Sequence, residues 1–366
     1  MSAPRPPAPG GATRFARRRA FVATSLLAAA LAQAAWIAVA APAAHGGTQG
    51  ASPAVAPDAA RIEQALRALR AGKEIESNLA LLRDTIERSG DPGTLARQIG
   101  VVLLTDGRYA MAADFLAVAR TRLPQDGNVA LQLGKAQALL RRFDEAVASL
   151  TAADALLPPG PHPIVKQFLA TSLAGQHRFD DAERMAVLAL GEAETFNANL
   201  AAGRPPLELA DFEFTRANVL HIAVRFDDAL AVLAQLERQP LGAAERAKAA
   251  LLRAKILDAR GDDAGALAAY AAALAAVPDD VEACYENASF LVRRAKHAEA
   301  KTLLEQVVAR DPQHEGAWFN LARTLPRAGD AAGGRAAMAR YQEIHDRKLK
   351  DDERLTELRR ALAARQ

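Results

Sequence analysis

Two residue types are scarce in this sequence. Cys284 is the single cysteine among 366 residues, so no intrachain disulfide can form and the chain is compatible with any redox compartment. Aromatic residues make up only 5% of the chain, whereas alanine is abundant. Small side chains suit close helix–helix packing better than a sheet. We therefore expect a helical protein in which Cys284 is an inert core thiol.

The sequence also lacks the short motifs of catalysis and metal binding. It contains no HExxH pattern, no CxxC pattern and no glycine-rich phosphate loop. Its seven histidines are scattered, and their spacing indicates no Ser-His-Asp set. We therefore predict no enzymatic activity, no cofactor and no metal site.

The formal net charge of +3 comes from the N-terminus. Residues 1–44 contain five arginines and no acidic residue, and the rest of the chain has 41 basic and 43 acidic groups. A nearly neutral remainder gives no electrostatic footprint for nucleic acid. We expect no nucleic-acid partner.

Residues 1–44 have the three parts of an export signal: a basic segment, an apolar run and small residues at a cleavage site. The segment Arg18–Val22 resembles a twin-arginine signal, although Arg17 stands where that family prefers Ser or Thr. Both the twin-arginine (Tat) and the Sec route stay open. We expect a periplasmic or exported protein, with residues 45–57 as a flexible linker.

The apolar run at residues 21–41 leaves two alternatives open. It is nearly long enough to span a bilayer, so an uncleaved inner-membrane anchor is the first. Its alanines and the polar Thr24, Ser25 and Gln33 make membrane insertion weaker than that of a leucine-rich span. An organelle transit peptide is the second alternative.

An internal repeat begins after residue 92. When residues 94–125 are set above 128–159, the two segments align in a register of 34 residues. The matched pairs are Gly100 with Gly134, Tyr109 with Phe143, Ala112 with Ala146, Leu116 with Leu150, Ala119 with Ala153 and Pro124 with Pro158. A period of this length resembles the tetratricopeptide repeat (TPR) family, whose repeat is a helix–turn–helix hairpin.

Seven repeats fit this pattern. They are residues 93–126, 127–160, 163–196, 210–243, 247–280, 281–314 and 315–348. The family requires small residues at the eighth and twentieth positions, where the two helices of a hairpin meet. The eighth positions hold Gly100, Gly134, Ala170, Ala217, Ala254, Ala288 and Ala322. The twentieth positions hold Ala112, Ala146, Ala182, Ala229, Ala266, Ala300 and Gly334. The resemblance implies an all-α, right-handed solenoid of antiparallel hairpins over residues 93–348.

The segments around the repeats complete the predicted fold. Residues 58–92 are expected to form a degenerate hairpin, and residues 349–366 a C-terminal capping helix with a polar outer face. The insertion at 197–209 is either a surface insertion or a loop that reaches the groove or a partner. Pro326 should end the first helix of repeat 7 early.

The pattern Arg-Phe-Asp-Asp/Glu-Ala recurs at Arg142–Ala146, Arg178–Ala182 and Arg225–Ala229. Paired acids of this kind could hold a metal or transfer protons. Their place at the start of a second helix favours a structural role instead. We predict that they cap free N–H groups and complement the helix dipole.

The resemblance implies that the first helix of each repeat lines a concave groove with its second, fifth, ninth and twelfth positions. Such positions include Lys135 and Gln167. Exposed aromatics beside cations are typical of binding hot spots, although the aromatics could instead pack between repeats. The residues predicted to bind a partner are Phe214, Asn218, His221, Lys255, Tyr285, Phe319 and Arg323. Chaperone-tail binding is disfavoured, because Arg97 is followed by Val101 where the family's clamp needs Asn.

These features predict a non-catalytic protein–protein interaction scaffold of the bacterial cell envelope. It would bind an extended peptide or helix of a partner protein in its concave groove. One alternative is an inner-membrane-anchored adaptor. Another is a glycan-handling accessory of a polysaccharide export, secretion or cytochrome maturation assembly.

Overall fold

A computed structural model describes residues 55–200 and 205–363, and every regular element in these ranges is a helix. The predicted all-α class of helical hairpins is therefore confirmed. The predicted export signal, residues 1–44, lies outside the described residues. So does the predicted linker, except for its last three residues.

Sixteen α-helices follow one another along the described ranges. The first eight are α1 (Val55–Arg70), α2 (Ile75–Arg88), α3 (Pro92–Thr105), α4 (Tyr109–Arg122), α5 (Gly127–Leu139), α6 (Phe143–Leu156), α7 (Pro163–Gly175) and α8 (Phe179–Ala198). The last eight are α9 (Leu209–Ile222), α10 (Phe226–Leu236), α11 (Ala243–Arg260), α12 (Asp263–Ala276), α13 (Val281–Arg293), α14 (His297–Arg310), α15 (Glu315–Thr324) and α16 (Ala331–Ala363). Each 34-residue repeat holds one consecutive pair, from α3–α4 to α15–α16, and α1–α2 precedes them.

The helices form two compact units, an N-terminal unit that ends at Val232 and a C-terminal unit that begins at Leu233. In the N-terminal unit, a hydrophobic cluster includes Leu150, Phe168 and Leu173 from α6 and α7. In the C-terminal unit, a separate cluster includes Tyr270 and Phe290 from α12 and α13. Each unit therefore has its own core of packed hairpins.

The small residues at the eighth and twentieth repeat positions allow the helices of a hairpin to approach closely. All fourteen are buried. At Gly134 an added Cβ would lie 2.6 Å from Cγ of Leu150, and at Gly100 it would lie 2.7 Å from Cγ of Leu116. Even alanine would clash at these two positions, which explains glycine in repeats 1 and 2.

The turn inside each hairpin depends on a left-handed residue at the fifteenth repeat position. Gly107, Gly261 and Gly329 have positive φ there, and the other four repeats place Arg141, His177, Val224 and Ala295 at φ between 58° and 65°. The next residue donates its N–H to a carbonyl five residues earlier, as Arg142 does to Gln137. This bond satisfies a carbonyl at the helix end, as in a Schellman motif.

At the start of α6 and α8, the recurring Arg-Phe-Asp-Asp/Glu-Ala pattern does not provide the predicted side-chain cap at the N-cap position. The arginine occupies the N-cap position of α6 and α8 without a side-chain cap bond. Instead, Arg142 pairs with Glu145, Arg178 with Asp181, and Arg225 with Asp228 three residues on. The acids still lie in the first helical turn, where they complement the dipole.

The insertion after repeat 3 begins as a helix extension. Helix α8 continues to Ala198, and α9 begins at Leu209. The side chain of Asn197 donates to the carbonyl of Leu207 at 2.8 Å and accepts from its N–H at 2.7 Å. Residues 201–204 lie outside the described ranges. The two bonds hold the two ends of the insertion together.

The C-terminal region differs from the prediction in one respect. Helix α15 ends at Thr324, and Pro326 opens a short 3-10 turn, as expected. However, the predicted capping helix is not separate, because α16 runs unbroken from Ala331 to Ala363. The segment between Arg335 and Ala363 contains no Gly or Pro, and its charged residues are good helix formers.

Candidate functional site

Three predicted partner-binding residues lie on α9 in the N-terminal unit, and all three are buried. Phe214 is 2% exposed, His221 is 4% exposed and Asn218 is 6% exposed. The ring of His221 lies 6.1 Å from that of Phe226. These side chains pack inside the repeats and leave little surface for a partner to contact.

Lys255, on α11 of the C-terminal unit, is bound by acids of the next repeat. Its Nζ lies 2.8 Å from Glu282 and 3.2 Å from Glu286. Burial alone would lower the pKa of Lys255, but Glu286 and Glu282 outweigh it and raise the pKa. The lysine is therefore firmly charged and neutralised within the protein.

Tyr285 is half-buried against the start of α15. Its ring lies 4.4 Å from that of His314, and a Cβ at Gly316 would meet its hydroxyl at 2.5 Å. Burial raises the pKa of Tyr285 and lowers that of His314. Tyr285 packs between repeats, which is the alternative that the sequence left open for the aromatics.

Phe319 and Arg323 differ from the other predicted residues because both are exposed. The guanidinium of Arg323 lies 5.4 Å from the ring centre of Phe319, and the Tyr341 ring lies 5.3 Å from that of Phe319. Tyr341 in turn stacks on His345 at 5.5 Å. We call these four residues the Phe319 surface. It is an open aromatic surface with a cation over it, formed by α15 and α16.

Lys135 on α5 was not among the predicted partner-binding residues, although it is an inner position of repeat 2. Its side chain is only 3% exposed, and Nζ lies 5.5 Å from the ring centre of Phe168. Within the described ranges, no carboxylate forms an ion pair with it. Burial lowers the pKa of Lys135 to about 8. It is a buried cation whose charge the surrounding side chains do not balance.

Gln167 on α7 directly precedes Phe168 in the sequence. Like Lys135, it is 3% exposed. Its Nε2 donates to Oγ1 of Thr215 at 2.9 Å and to the carbonyl of Asp211 at 3.3 Å. Because Thr215 itself donates to that carbonyl, the amide orientation is determined. Its Oε1 is buried without a hydrogen-bond partner.

The repeat frame explains why the two lysines differ. Lys135 and Lys255 both occupy the ninth position of their repeats. The acids that bind Lys255 are at the second and sixth positions of the following repeat. In repeat 3 those positions hold Ile164 and Phe168. The absence of acids at these two positions of repeat 3 is a sequence signal for an unpaired lysine. It can be recognised only after the structure shows that acids at the same positions of repeat 6 bind Lys255.

The described side chains contain no group of three or more His, Cys, Asp or Glu residues placed to hold a metal ion. Cys284 is buried, and burial raises the pKa of its thiol. None of the described helices is both long and apolar enough to cross a membrane.

Comparison with protein families supports the tetratricopeptide repeat resemblance. Residues 291–362 match the family model described as tetratricopeptide repeat. These residues span part of repeat 6, all of repeat 7 and most of the C-terminal segment. No curated protein sequence matches the chain.

Solved structures of repeat proteins resemble the chain in fold. A tetratricopeptide repeat protein from Parabacteroides merdae is 13% identical, with 73% of this chain and 96% of that chain covered and a TM-score of 0.47. A thermophilic TPR protein from Thermus thermophilus is 22% identical, with 55% and 99% covered and a TM-score of 0.41. The match to the APC/C hetero-tetramer Cut9–Hcn1 has 16% identity and a TM-score of 0.43, and covers 71% of this chain but 48% of that one. The likeness carries no functional argument.

Proposed function

We propose that this protein is a non-catalytic protein–protein interaction scaffold whose helical repeats bind an extended peptide or a helix of a partner. The Phe319 surface carries the proposal. Phe319 is 36% exposed, and a large aromatic side chain left open beside an arginine is the combination found at interface hot spots. Stacked helical repeats form extended surfaces that can bind a partner, and such binding needs no catalytic residue.

We place this scaffold in the bacterial cell envelope, as a periplasmic or exported protein. The support comes from the basic, apolar and small-residue segments within residues 1–44. An inner-membrane-anchored adaptor, with residues 21–41 retained, is the other form of the same proposal. Sequencing the N-terminus of the mature protein separates the two, because cleavage near residues 41–45 contradicts the anchored form.

A glycan-handling accessory is the second candidate, and one observation favours it. The exposed ring of Phe319 and the neighbouring ring of Tyr341 offer faces on which a sugar could stack. Arg323 favours the peptide over the glycan, because its charge suits a carboxylate and adds little to a neutral sugar. The experiment below therefore includes both classes of ligand.

Affinity capture from the envelope fraction tests the proposal, with the full chain as bait. The variant Phe319→Ala with Arg323→Ala removes the centre of the Phe319 surface. Leu188→Ala is the matched control, because Leu188 is another exposed apolar side chain, 47% exposed on α8. Circular dichroism should show that both variants remain helical.

A protein held by the wild type and by Leu188→Ala, but lost by the double variant, is the expected result. A protein held equally by all three contradicts the Phe319 surface as the binding site. Retention of glycans instead of proteins would replace the first candidate with the second. The same capture would also name the partner and its assembly.

A further inference from the structure

We infer that the Phe319 surface is the uncovered end of the repeat array, and that it binds an amphipathic helix of a partner protein. The bound helix takes the place of the first helix of an eighth repeat. This inference rests on the proposed function and deepens it, because it selects a helix over an extended peptide and states where that helix packs. The contacts that carry it all lie in the C-terminal unit.

The first argument is that the last repeat leaves open positions that earlier repeats cover. The twenty-seventh positions of repeats 1 to 6 are fully buried, and they hold Ala119, Ala153, Ala189, Leu236, Ala273 and Val307. Tyr341 holds the same position in repeat 7 and is only partly buried. At the fifth position, Phe214 of repeat 4 is 2% exposed, whereas Phe319 of repeat 7 is 36% exposed. The exposure of the Phe319 surface therefore follows from its place at the end of the array.

The second argument is that α16 does not turn back over this surface. Helix α14, the second helix of repeat 6, ends at Arg310, the thirtieth repeat position, and α15 follows it. The thirtieth position of repeat 7 is Ile344, and α16 continues from there to Ala363. This continuation is about five turns, or about 28 Å, and an unbroken helix cannot fold back on the repeat. The described part of the chain therefore supplies no eighth helix.

The third argument comes from the interface one repeat earlier. Leu304 and Val307 of α14 lie in one hydrophobic cluster with Ala317 and Leu321 of α15. Ala317 and Leu321 are four residues apart, so they share one face of α15. The first helix of repeat 7 therefore covers repeat 6 with an apolar stripe.

Repeat 7 presents the same kind of surface to a further helix. Met338 and Tyr341 of α16 occupy the two repeat positions that α14 uses at the earlier interface. Phe319 occupies the position of Tyr285, whose ring lies 4.4 Å from that of His314 at the start of α15. A helix with apolar residues four positions apart therefore fits on repeat 7 as α15 fits on repeat 6.

The fourth argument favours a helix over an extended peptide. The Phe319 surface is formed by two helices, whose main-chain groups bond within each helix, so it offers no strand edge to a ligand. An extended peptide pressed against Phe319 and Tyr341 would bury N–H and C=O groups without partners, which costs free energy. A helix satisfies these groups internally and presents only side chains to the two rings.

The test uses two peptide libraries built on the sequence of α15. In the first library, residues 314–325 are held helical by a hydrocarbon staple, and the positions of Gly316, Ala317, Asn320 and Leu321 are randomised. In the second library, the same sequences carry two prolines, which prevent helix formation. Both libraries are probed with the labelled full chain. Binding constants of selected peptides are then measured by fluorescence anisotropy.

We expect the selected helices to carry apolar residues at the positions of Ala317 and Leu321. Their affinity should fall at least tenfold on the double variant Phe319→Ala with Tyr341→Ala, which removes both rings. Leu349→Ala is the matched control, because Leu349 is an apolar side chain of the same helix, 48% exposed, and it should change the affinity less than twofold. The proline peptides should bind at least tenfold more weakly. Circular dichroism should show that both variants remain helical.

A photo-crosslinker in place of Phe319 tests where the helix lies. At the earlier interface the hydroxyl of Tyr285 reaches Gly316, the second residue of α15. The benzophenone of p-benzoylphenylalanine at position 319 should therefore crosslink to the first turn of the bound helix, as mapped by mass spectrometry. Crosslinks confined to the last turn would contradict its placement as the first helix of an eighth repeat.

Failure of this inference is distinguishable from failure of the proposed function. If proline peptides bind as tightly as the helices and lose affinity on the double variant, the ligand is an extended peptide and the proposed function stands. If the double variant binds the helices as tightly as the wild type, the Phe319 surface is not where they pack. If neither library binds the wild type, peptide binding fails, and the proposed function fails with it.

Discussion

The two compact units handle the same residue at the same repeat position in opposite ways. In the C-terminal unit, Lys255 is bound by Glu282 and Glu286 and its pKa is raised. In the N-terminal unit, Lys135 lies over Phe168, and burial lowers its pKa to about 8. The two lysines share the ninth repeat position, but the residues of the next repeat decide whether the lysine is paired.

The difference shows that one repeat position can hold either a paired or an unpaired lysine. A buried ion pair is complete without a ligand, and removing one partner leaves an unbalanced charge. An unpaired buried cation lowers stability, because its hydration is lost without a carboxylate to replace it. The variants described below change residues at equivalent repeat positions of the two units, to test this comparison.

The largest effect is expected from Lys255→Met. The change leaves Glu282 and Glu286 beside each other without their cation, and Glu286 is only 12% exposed. Breaking a buried pair by removing one partner should lower the free energy of unfolding by about 3 kcal/mol. Urea denaturation at pH 7 measures it. A loss below about 0.5 kcal/mol would mean that the pair is not formed.

Lys135→Met should have the opposite sign and raise the free energy of unfolding at pH 7 by about 2 kcal/mol. In the wild type, the folded lysine has a lowered pKa of about 8, whereas the unfolded lysine titrates at its ordinary value of 10.5. The wild type is therefore penalised fully below pH 8 and regains stability as pH rises from about 8 to 10.5. The gain in the variant should disappear over the same range.

Urea denaturation of the wild type and Lys135→Met at pH 7, 9 and 10.5 provides the measurement. A constant difference across the three values would show that the ammonium is not desolvated. A destabilised variant at pH 7 would show that Lys135 has a partner that balances its charge.

Ile164→Glu should make repeat 3 resemble repeat 6 by placing a carboxylate at the second position, where Glu282 stands. The new acid would pair with Lys135, so Lys135→Met should destabilise in this background although it stabilises in the wild type. A double-mutant cycle should give a coupling of about 3 kcal/mol between the two positions, which is more than the gain from Lys135→Met in the wild type. An unchanged gain from Lys135→Met would show that the repeats are not equivalent here.

The smallest effect concerns the turns. Val224 of the N-terminal unit and Gly261 of the C-terminal unit share the fifteenth repeat position, with φ of 65° and 89°. A β-branched residue is strained in the left-handed region, so Val224→Gly should relieve strain in the folded protein. Glycine loses more backbone entropy on folding, so the net rise in the free energy of unfolding should be about 0.5 kcal/mol. Thermal unfolding measures it. Val224→Ala keeps the Cβ atom, so its gain in stability should be smaller than that of Val224→Gly. Equal gains for the two variants would argue against backbone strain at this position.

Much of the fold could be predicted from the sequence. The 34-residue register located the hairpins, and the small residues located the helix contacts, because both follow from spacing along the chain. The end of α15 before Pro326 was predictable for a local reason, the missing N–H of proline. The continuity of α16 was missed because residues 349–366 were predicted to form a separate capping helix, whereas charged residues without Gly or Pro extend a helix.

The candidate site was less predictable than the fold. Position in the repeat selected Phe214 and Phe319 equally, yet Phe214 is buried and Phe319 is exposed. It also selected Lys255 for the partner-binding set, although that lysine already has two partners. Sequence spacing locates a residue on a helix face. It does not show what the neighbouring helix places against that face.

The sequence by itself determined the helical class, the repeat length and the crossing points of the hairpins, because these depend on periodic patterns of small and apolar residues. Tertiary structure decided which inner residues are open, which turns are strained and which lysine is balanced. The reason is the range of the interactions. Lys255 and Glu282 are 27 residues apart along the chain, so their pairing depends on how two repeats stack. Lys135 is unpaired for the same reason, because the stacking of repeats 2 and 3 places Phe168 against it and no carboxylate.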